Sequence, residues 1–146
     1  MKAITSITID APIERVWQIM SDVERWPEWT ASISSVQRLD RGPFQVGSSA
    51  RIKQPKLATM VWTVTDIQPG RSFIWQAHSG GMTSIGEHVI EPGPGNSVTV
   101  TLSATATGWL APHVNRLYGR LGQSYVEMEA AGLKRRSEAE ALASVA

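Results

Sequence analysis

The chain has 146 residues, 42% of them hydrophobic, with 14 Lys and Arg against 13 Asp and Glu, a size that predicts one globular domain with one core. The balanced charge offers no long-range field of one sign, which argues against a nucleic-acid partner and against steering to an anionic membrane. The absence of cysteine excludes disulfides, thiolate metal sites and a thiol nucleophile.

The first thirty residues predict one strand followed by two short helices. Ile7 and Ile9 alternate with polar residues, as in a half-buried strand over residues 3–10. A short amphipathic helix then begins near Pro12, because apolar residues recur at helical spacing. The segment Val23–Trp29 predicts a second, stubby helix, since Pro27 interrupts it.

The rest of the chain predicts a meander of strands and then one long helix. Turn residues, including Gly42-Pro43, Pro69-Gly70 and Gly80-Gly81, separate strand-like segments over residues 33–39, 48–54, 59–67, 72–78, 82–91 and 97–107. Such short connections favour antiparallel pairing. From Leu110 to about Ala143 the apolar period becomes 3.6, with a frayed tail expected from about residue 137. The order of elements predicts an α+β helix-grip fold, in which a curved antiparallel sheet encloses one C-terminal helix.

Two motifs near the N-terminus resemble the opening of the polyketide cyclase/dehydrase family of the START-like, or SRPBCC, superfamily. They are Ile7-x-Ile9-x-Ala11-Pro12-x-x-x-Val16-Trp17 and Asp22-x-x-x-Trp26-Pro27-x-Trp29. Further similar segments reach to Leu133-Lys134-Arg135-Arg136, so the resemblance spans nearly the whole of residues 1–146 as a single domain. It implies a sheet of about seven strands around the long helix, with a cavity between them. Since that superfamily holds carriers, receptors, cyclases and cochaperone-like modules, the resemblance does not decide the chemistry.

Alternation along the strands predicts which side chains face this cavity, because inward positions come at every second residue. The expected lining is Met60, Trp62, Val64, Phe73, Trp75, Gly86, His88, Ile90, Val98, Val100 and Leu102, with Val114, Leu117, Leu121 and Tyr125 from the helix. An ordinary filled core would give the same pattern. Trp26, Trp29 and Trp109 are candidate gates, although Trp26 and Trp29 would serve equally well as anchors for the second helix.

His88 is the main candidate for polar chemistry, since the alternation places its imidazole among apolar neighbours. It would orient a ligand or move a proton, with Tyr125 as a candidate partner; alternatively it is a structural histidine bonded to Tyr125 or to a backbone carbonyl. Three scattered His residues without Cys do not form a metal motif, and no cofactor motif is present. No metal and no cofactor are therefore expected.

Three functions remain open from the sequence. The first is binding of a small hydrophobic molecule such as a lipid, quinone or polyketide-like ring. The second is a cyclase or dehydratase with His88 as general acid/base, and the third is a cochaperone-like interaction module. No apolar run is long enough for a signal peptide or membrane span, so a cytoplasmic monomer or homodimer without stable membrane insertion is expected.

Overall fold

The structure, a computed structural model, describes the backbone of residues 2–145 and the side chains of residues 2–139. One antiparallel sheet and one long helix account for most of it. The elements in chain order are β1 (Lys2–Ile9), α1 (Ile13–Ser21), a 3₁₀ helix (Val23–Glu28), β2 (Ser35–Arg38), β3 (Ser49–Lys53), β4 (Met60–Gln68), β5 (Ser72–Ser79), β6 (Met82–Pro92), β7 (Val98–Thr107) and α2 (Ala111–Val145).

The seven strands lie in the order β1-β7-β6-β5-β4-β3-β2, and every neighbouring pair is antiparallel. Each strand from β2 to β6 pairs with the next along the chain, because the connecting turns are too short for a crossover. β1 instead closes the far edge by pairing with β7, so that Ile7 lies opposite Val100 and Ile9 opposite Val98. The predicted antiparallel sheet with a long C-terminal helix is thus confirmed.

The second short element after β1 is a six-residue 3₁₀ helix rather than a regular α-helix. Pro27 lies inside it and lacks a backbone N–H, which limits how far a helical ladder can extend. The element is held instead by a side chain, since the indole Nε1 of Trp26 donates to the Met20 carbonyl at 3.0 Å. This bond fixes the 3₁₀ helix against the end of α1.

Helix α2 crosses the sheet beside β1 and β7 and is tied to the β1 edge at two levels. The Gln123 amide exchanges two hydrogen bonds with the backbone of Ile4, at 3.0 and 2.9 Å. Further along the helix, Lys134 donates to the Thr8 carbonyl at 2.8 Å, and Glu138 accepts from the Asp10 N–H at 2.9 Å. Hydrogen bonds from Lys134 and then from Asp10 hold the pKa of Glu138 below its ordinary value.

The end of α2 is packed where the sequence predicts a frayed tail. Ser137 is fully buried and Glu138 is bonded to both Lys134 and β1. The helix therefore stays packed at residues 137–139. The rest of the predicted tail, from residue 140, lies outside the residues whose side chains the structure describes.

Two glycines of α2 differ in how closely other residues approach them. A side chain added at Gly132 would collide with the Trp29 carbonyl oxygen, so only glycine allows this approach. A side chain added at Gly122 would meet nothing within 4 Å, although Gly122 shares a helix face with buried Val126. The face of α2 that carries Gly122 is therefore open at this position.

Alanine substitutions at these two glycines should have opposite effects on stability. Gly122→Ala should stabilise the protein by up to about 1 kcal/mol, because alanine is the better helix former and the space is open. Gly132→Ala should destabilise it by about 1–3 kcal/mol, since the added methyl group meets backbone that must move. Urea unfolding followed by far-ultraviolet circular dichroism measures both. Equal stability of the two variants would contradict the difference in packing between Gly122 and Gly132.

Candidate functional site

The concave face of the sheet carries the side chains that alternation assigns to it. Directly opposed residues share a face, and the pairs Phe73 with His88 and Trp75 with Gly86 place β5 and β6 in the expected register. Most of the predicted strand positions are buried, namely Val64, Phe73, Trp75, Gly86, His88, Ile90, Val98, Val100 and Leu102. Met60 and Trp62 at the start of β4 are only half-buried.

Aromatic rings fill much of the space over the middle of this face. The rings of Phe73 and Trp75 lie 5.2 Å apart, and that of Trp26 lies 5.4 Å from Trp75. Trp62 extends the group, with its ring 5.9 Å from that of Trp75. We refer to the whole set as the aromatic cluster, which consists of Trp17, Trp26, Trp29, Phe44, Trp62, Phe73 and Trp75.

Gly86 makes room for one of these rings. A side chain at this position would lie 3.0 Å from the indole Nε1 of Trp75 on the neighbouring strand. The β5–β6 pairing runs unbroken through Gly86, whereas the irregular register of the sheet falls between Val64 and Asp66. Close approach of Trp75, rather than a bulge, therefore explains the glycine.

His88 lies against the aromatic cluster, and its ring contacts a carboxyl group of α2. Its ring stacks on Phe73, with centroids 4.1 Å apart and planes within 9°. Nδ1 is 3.3 Å from the Phe73 carbonyl, and Nε2 is 3.4 Å from Oε1 of Glu129. Both His88 and Glu129 have little exposed side-chain area.

The two ring nitrogens of His88 have different neighbours. A carbonyl oxygen only accepts hydrogen bonds, so Nδ1 carries a hydrogen toward Phe73. Nε2 faces the Glu129 carboxyl group at 3.4 Å. His88 and Glu129 form a buried polar pair beside the aromatic rings.

Tyr125 contributes to the same region but not as a partner of His88. Its hydroxyl donates to the carbonyl of Pro55, in the loop between β3 and β4. Tyr125 and Glu129 are four residues apart and so lie on one face of α2. The tyrosine thereby ties the helix to the β3–β4 loop.

The first turns of α2 depart most from the predicted lining. Leu117 is 75% exposed and does not face the sheet, while Val114 and Leu121 are half-buried. Tyr118, seven positions before Tyr125 and so on the same helix face, is also exposed, at 42%. The apolar stripe misleads here because it includes a leucine on the outer side of the helix.

The three candidate gates divide into two kinds. Trp26 and Trp29 are almost completely buried, and the Trp26 indole is bonded to Met20, which is the behaviour of anchors. Trp109 is 76% exposed and lies over Gly81, where an added side chain would meet its ring at 2.5 Å. Only Trp109 therefore stands at an open edge.

Two of the clefts formed by the described residues lie away from the middle of the concave face, and the first touches the aromatic cluster only through Trp29. One, of about 200 Å³, lies between α1, the 3₁₀ helix and α2 and is lined by Arg15, Gln18, Ile19, Asp22, Arg25, Trp29 and Arg136. The other, of about 550 Å³, is an open groove between the end of β7 and the start of α2, lined by Ala106, Thr107, Gly108, Ala111, Pro112, Asn115 and Arg116. The groove lies where α2 stands away from the sheet. Among the described side chains, no three His, Asp or Glu residues group closely enough to hold a metal ion.

The sequence pattern does not single out Glu129, Tyr118 or Gly122 as residues of this region. Glu129 is one of several charged residues on a polar helix, and its inward position shows only once Tyr125 fixes which face is buried. From Tyr125, steps of three, four and seven residues lead to Gly122, Glu129 and Tyr118. Helical spacing around Tyr125 was thus the available signal.

The family model for polyketide cyclase/dehydrase and lipid transport matches residues 2–138. The chain belongs to this family. A search of curated protein sequences finds no match. No helix in the part of this family member that the structure describes is long and apolar enough to cross a membrane.

Solved structures show the same START-like fold at low sequence identity. The protein TTHA0849 from Thermus thermophilus is 20% identical with a TM-score of 0.76, covering 96% of this chain and 99% of that one. A START superfamily protein from Mycobacterium smegmatis is 19% identical with a TM-score of 0.72, covering 94% and 97%. A hypothetical protein, jhp0584, from Helicobacter pylori is 9% identical with a TM-score of 0.81, covering 94% and 88%. Such identities support the likeness of fold alone.

Substitutions of Glu129 test its contact with Nε2 of His88. Glu129→Gln should cost less than about 1 kcal/mol, because the amide N–H can donate to Nε2 of a neutral imidazole. Glu129→Leu should cost about 1–3 kcal/mol, since it leaves Nε2 buried without a partner. Urea unfolding gives the energies, and ¹⁵N NMR of His88 should show the Nδ1–H tautomer in the Gln variant. Equal destabilisation by both changes would contradict a direct interaction between Glu129 and Nε2 of His88.

Proposed function

We propose that the protein binds a small apolar molecule in the gap between the N-terminal half of α2 and the concave face of the sheet. The observation that carries this proposal is the open space beside Gly122, on a helix face that is packed one turn later. Apolar sites of this kind lie preferentially between secondary-structure elements that stand apart. The aromatic cluster closes the gap at its inner end.

The walls of the gap carry apolar side chains that are only partly covered. Met60 and Trp62 on the sheet and Val114 and Leu121 on α2 are all half-buried. A ligand that covered this area would gain roughly 25 cal/mol for each Å² of apolar surface removed from water. The partly exposed walls therefore favour an apolar occupant.

The inner end of the gap offers a few polar groups to orient that molecule. The His88–Glu129 pair and the Tyr125 hydroxyl lie on neighbouring turns and strands. Few polar groups among apolar and aromatic walls suit a ligand that is mainly a ring or chain with one oxygen function. A lipid, a quinone or a polyketide-like ring has this chemistry.

A second candidate function, a cyclase or dehydratase, is favoured by the buried pair of His88 and Glu129. General acid/base catalysis needs a proton that can move to a bound oxygen or carbon. Both ring nitrogens of His88 already face acceptors, at 3.3 and 3.4 Å, so a substrate would have to displace Glu129. For this reason the pair supports binding better than catalysis.

Binding of an uncharged fluorescent probe, N-phenyl-1-naphthylamine, tests the proposed site. The wild-type protein should bind one molecule with a rise in probe fluorescence. Gly122→Trp should weaken binding about tenfold or more, equal to about 1.4 kcal/mol, because the indole fills the gap. Gly122→Ala is the matched control and should leave the affinity nearly unchanged.

The same measurement separates the two candidate functions. Binding that Gly122→Trp leaves unaffected would place the probe elsewhere and contradict the proposed site. Native mass spectrometry of gently purified protein should in addition show a bound mass that Gly122→Trp lacks. Turnover of a bound polyketide-like compound that is lost in His88→Gln, with binding retained, would favour the enzyme instead.

A further inference from the structure

We infer that the end of the molecule around Trp109 docks on the surface of an anionic lipid bilayer. The total charge is near neutral, but positive and negative side chains are unevenly distributed along the molecule. The antiparallel register brings the start of β1, the β5–β6 turn, the β3–β4 loop and the start of α2 to one end of the sheet. The N-terminal half of α2, which carries Gly122, begins at this end.

Positive charges predominate at this end. From position 92 to position 126 the sequence has no Asp or Glu, and the β3–β4 and β5–β6 connections have none either. The same segments carry Lys56, Arg116 and Arg120, and Lys2 begins β1. The result is a cluster of cations in which only Lys2 has a carboxylate partner, Glu87, among the described side chains.

The cations are available to a partner. Arg116, Arg120 and Lys56 are exposed, and no ion pair involves them among the described residues. Lys2 is 4.0 Å from Glu87, a long and largely exposed pair that is worth little. Cations near an anionic lipid surface are attracted to it within about a Debye length.

Apolar side chains stand among these cations. Trp109 is 76% exposed and Leu117 is 75% exposed, the largest values among the large hydrophobic residues described. Leu117 lies between Arg116 and Arg120 on the outer side of α2. Exposed Trp beside Arg or Lys is the composition that favours the boundary between headgroups and acyl chains. We name Lys2, Lys56, Trp109, Arg116, Leu117 and Arg120 the basic rim.

The choice of a bilayer over other partners follows from this mixture. A nucleic acid would match the charge but would leave Leu117 exposed to water, since that residue has no base-stacking plane. A lipid surface matches both the charge and the apolar side chains. The basic rim lies at the end of the sheet where α2 begins, so docking would bring the proposed gap close to a source of apolar molecules. The docking itself does not depend on any molecule in the gap.

Vesicle flotation with the full-length protein tests the inference. The protein should float with phosphatidylcholine vesicles that contain 30% phosphatidylglycerol, and not with phosphatidylcholine alone. Raising the salt should weaken binding, because the attraction is screened. Neutralising Arg116 and Arg120 together, as Arg116→Gln with Arg120→Gln, should weaken partitioning about 25-fold, roughly fivefold for each cation lost.

Matched controls identify the surface. Arg41→Gln with Arg71→Gln removes the same charge from exposed residues at the opposite end of the sheet and should leave partitioning nearly unchanged. Trp109→Ala should also reduce flotation, and circular dichroism should show that every variant is folded.

Three results would overturn the inference. They are no flotation with anionic vesicles at low salt, equal loss in the Arg41/Arg71 control, or sedimentation showing a dimer that Trp109→Ala dissociates. The last would assign the surface to a second copy of the chain.

Discussion

The close approach of α2 to Trp29 at Gly132 is the contact on which the rest of the structure depends. Because glycine alone fits there, the helix is held against the 3₁₀ helix at one end. Hydrogen bonds to Ile4, Thr8 and Asp10 keep it along β1. At Gly122 the same helix has open space beside it, although the next residue, Gln123, is bonded to Ile4.

Helix α2 therefore borders a closed region near Gly132 and a more open one near Gly122. At the closed end, rings from the sheet and from the 3₁₀ helix pack to normal core spacing, and the buried His88–Glu129 pair is the main polar feature. Such a pair adds little net stability, since burial of charge offsets its attraction. In the proposed site it is a polar group at the inner end of the gap. The open end bears partly covered apolar walls and a rim of cations.

Much of the fold follows from the sequence, because strand alternation and turn residues are local signals. The predicted inward residues from Val64 to Leu102 lie on the concave face for this reason. The state of the interior does not follow from pattern, since the same alternation describes a filled core and a cavity. Leu117 shows the limit on the helix side: a stripe of apolar residues is wider than the face that packs. The position of Glu129 and the separation of charge depend on which segments meet in space, so neither is evident from the order of residues alone.

Diffraction from wild-type crystals under xenon pressure tests most directly whether the gap is an apolar site, because xenon occupies apolar cavities that water fills poorly. The account predicts a xenon atom beside Gly122, between α2 and the concave face, and its absence from crystals of Gly122→Trp. Xenon found only within the aromatic cluster, or no xenon in the protein, would contradict it.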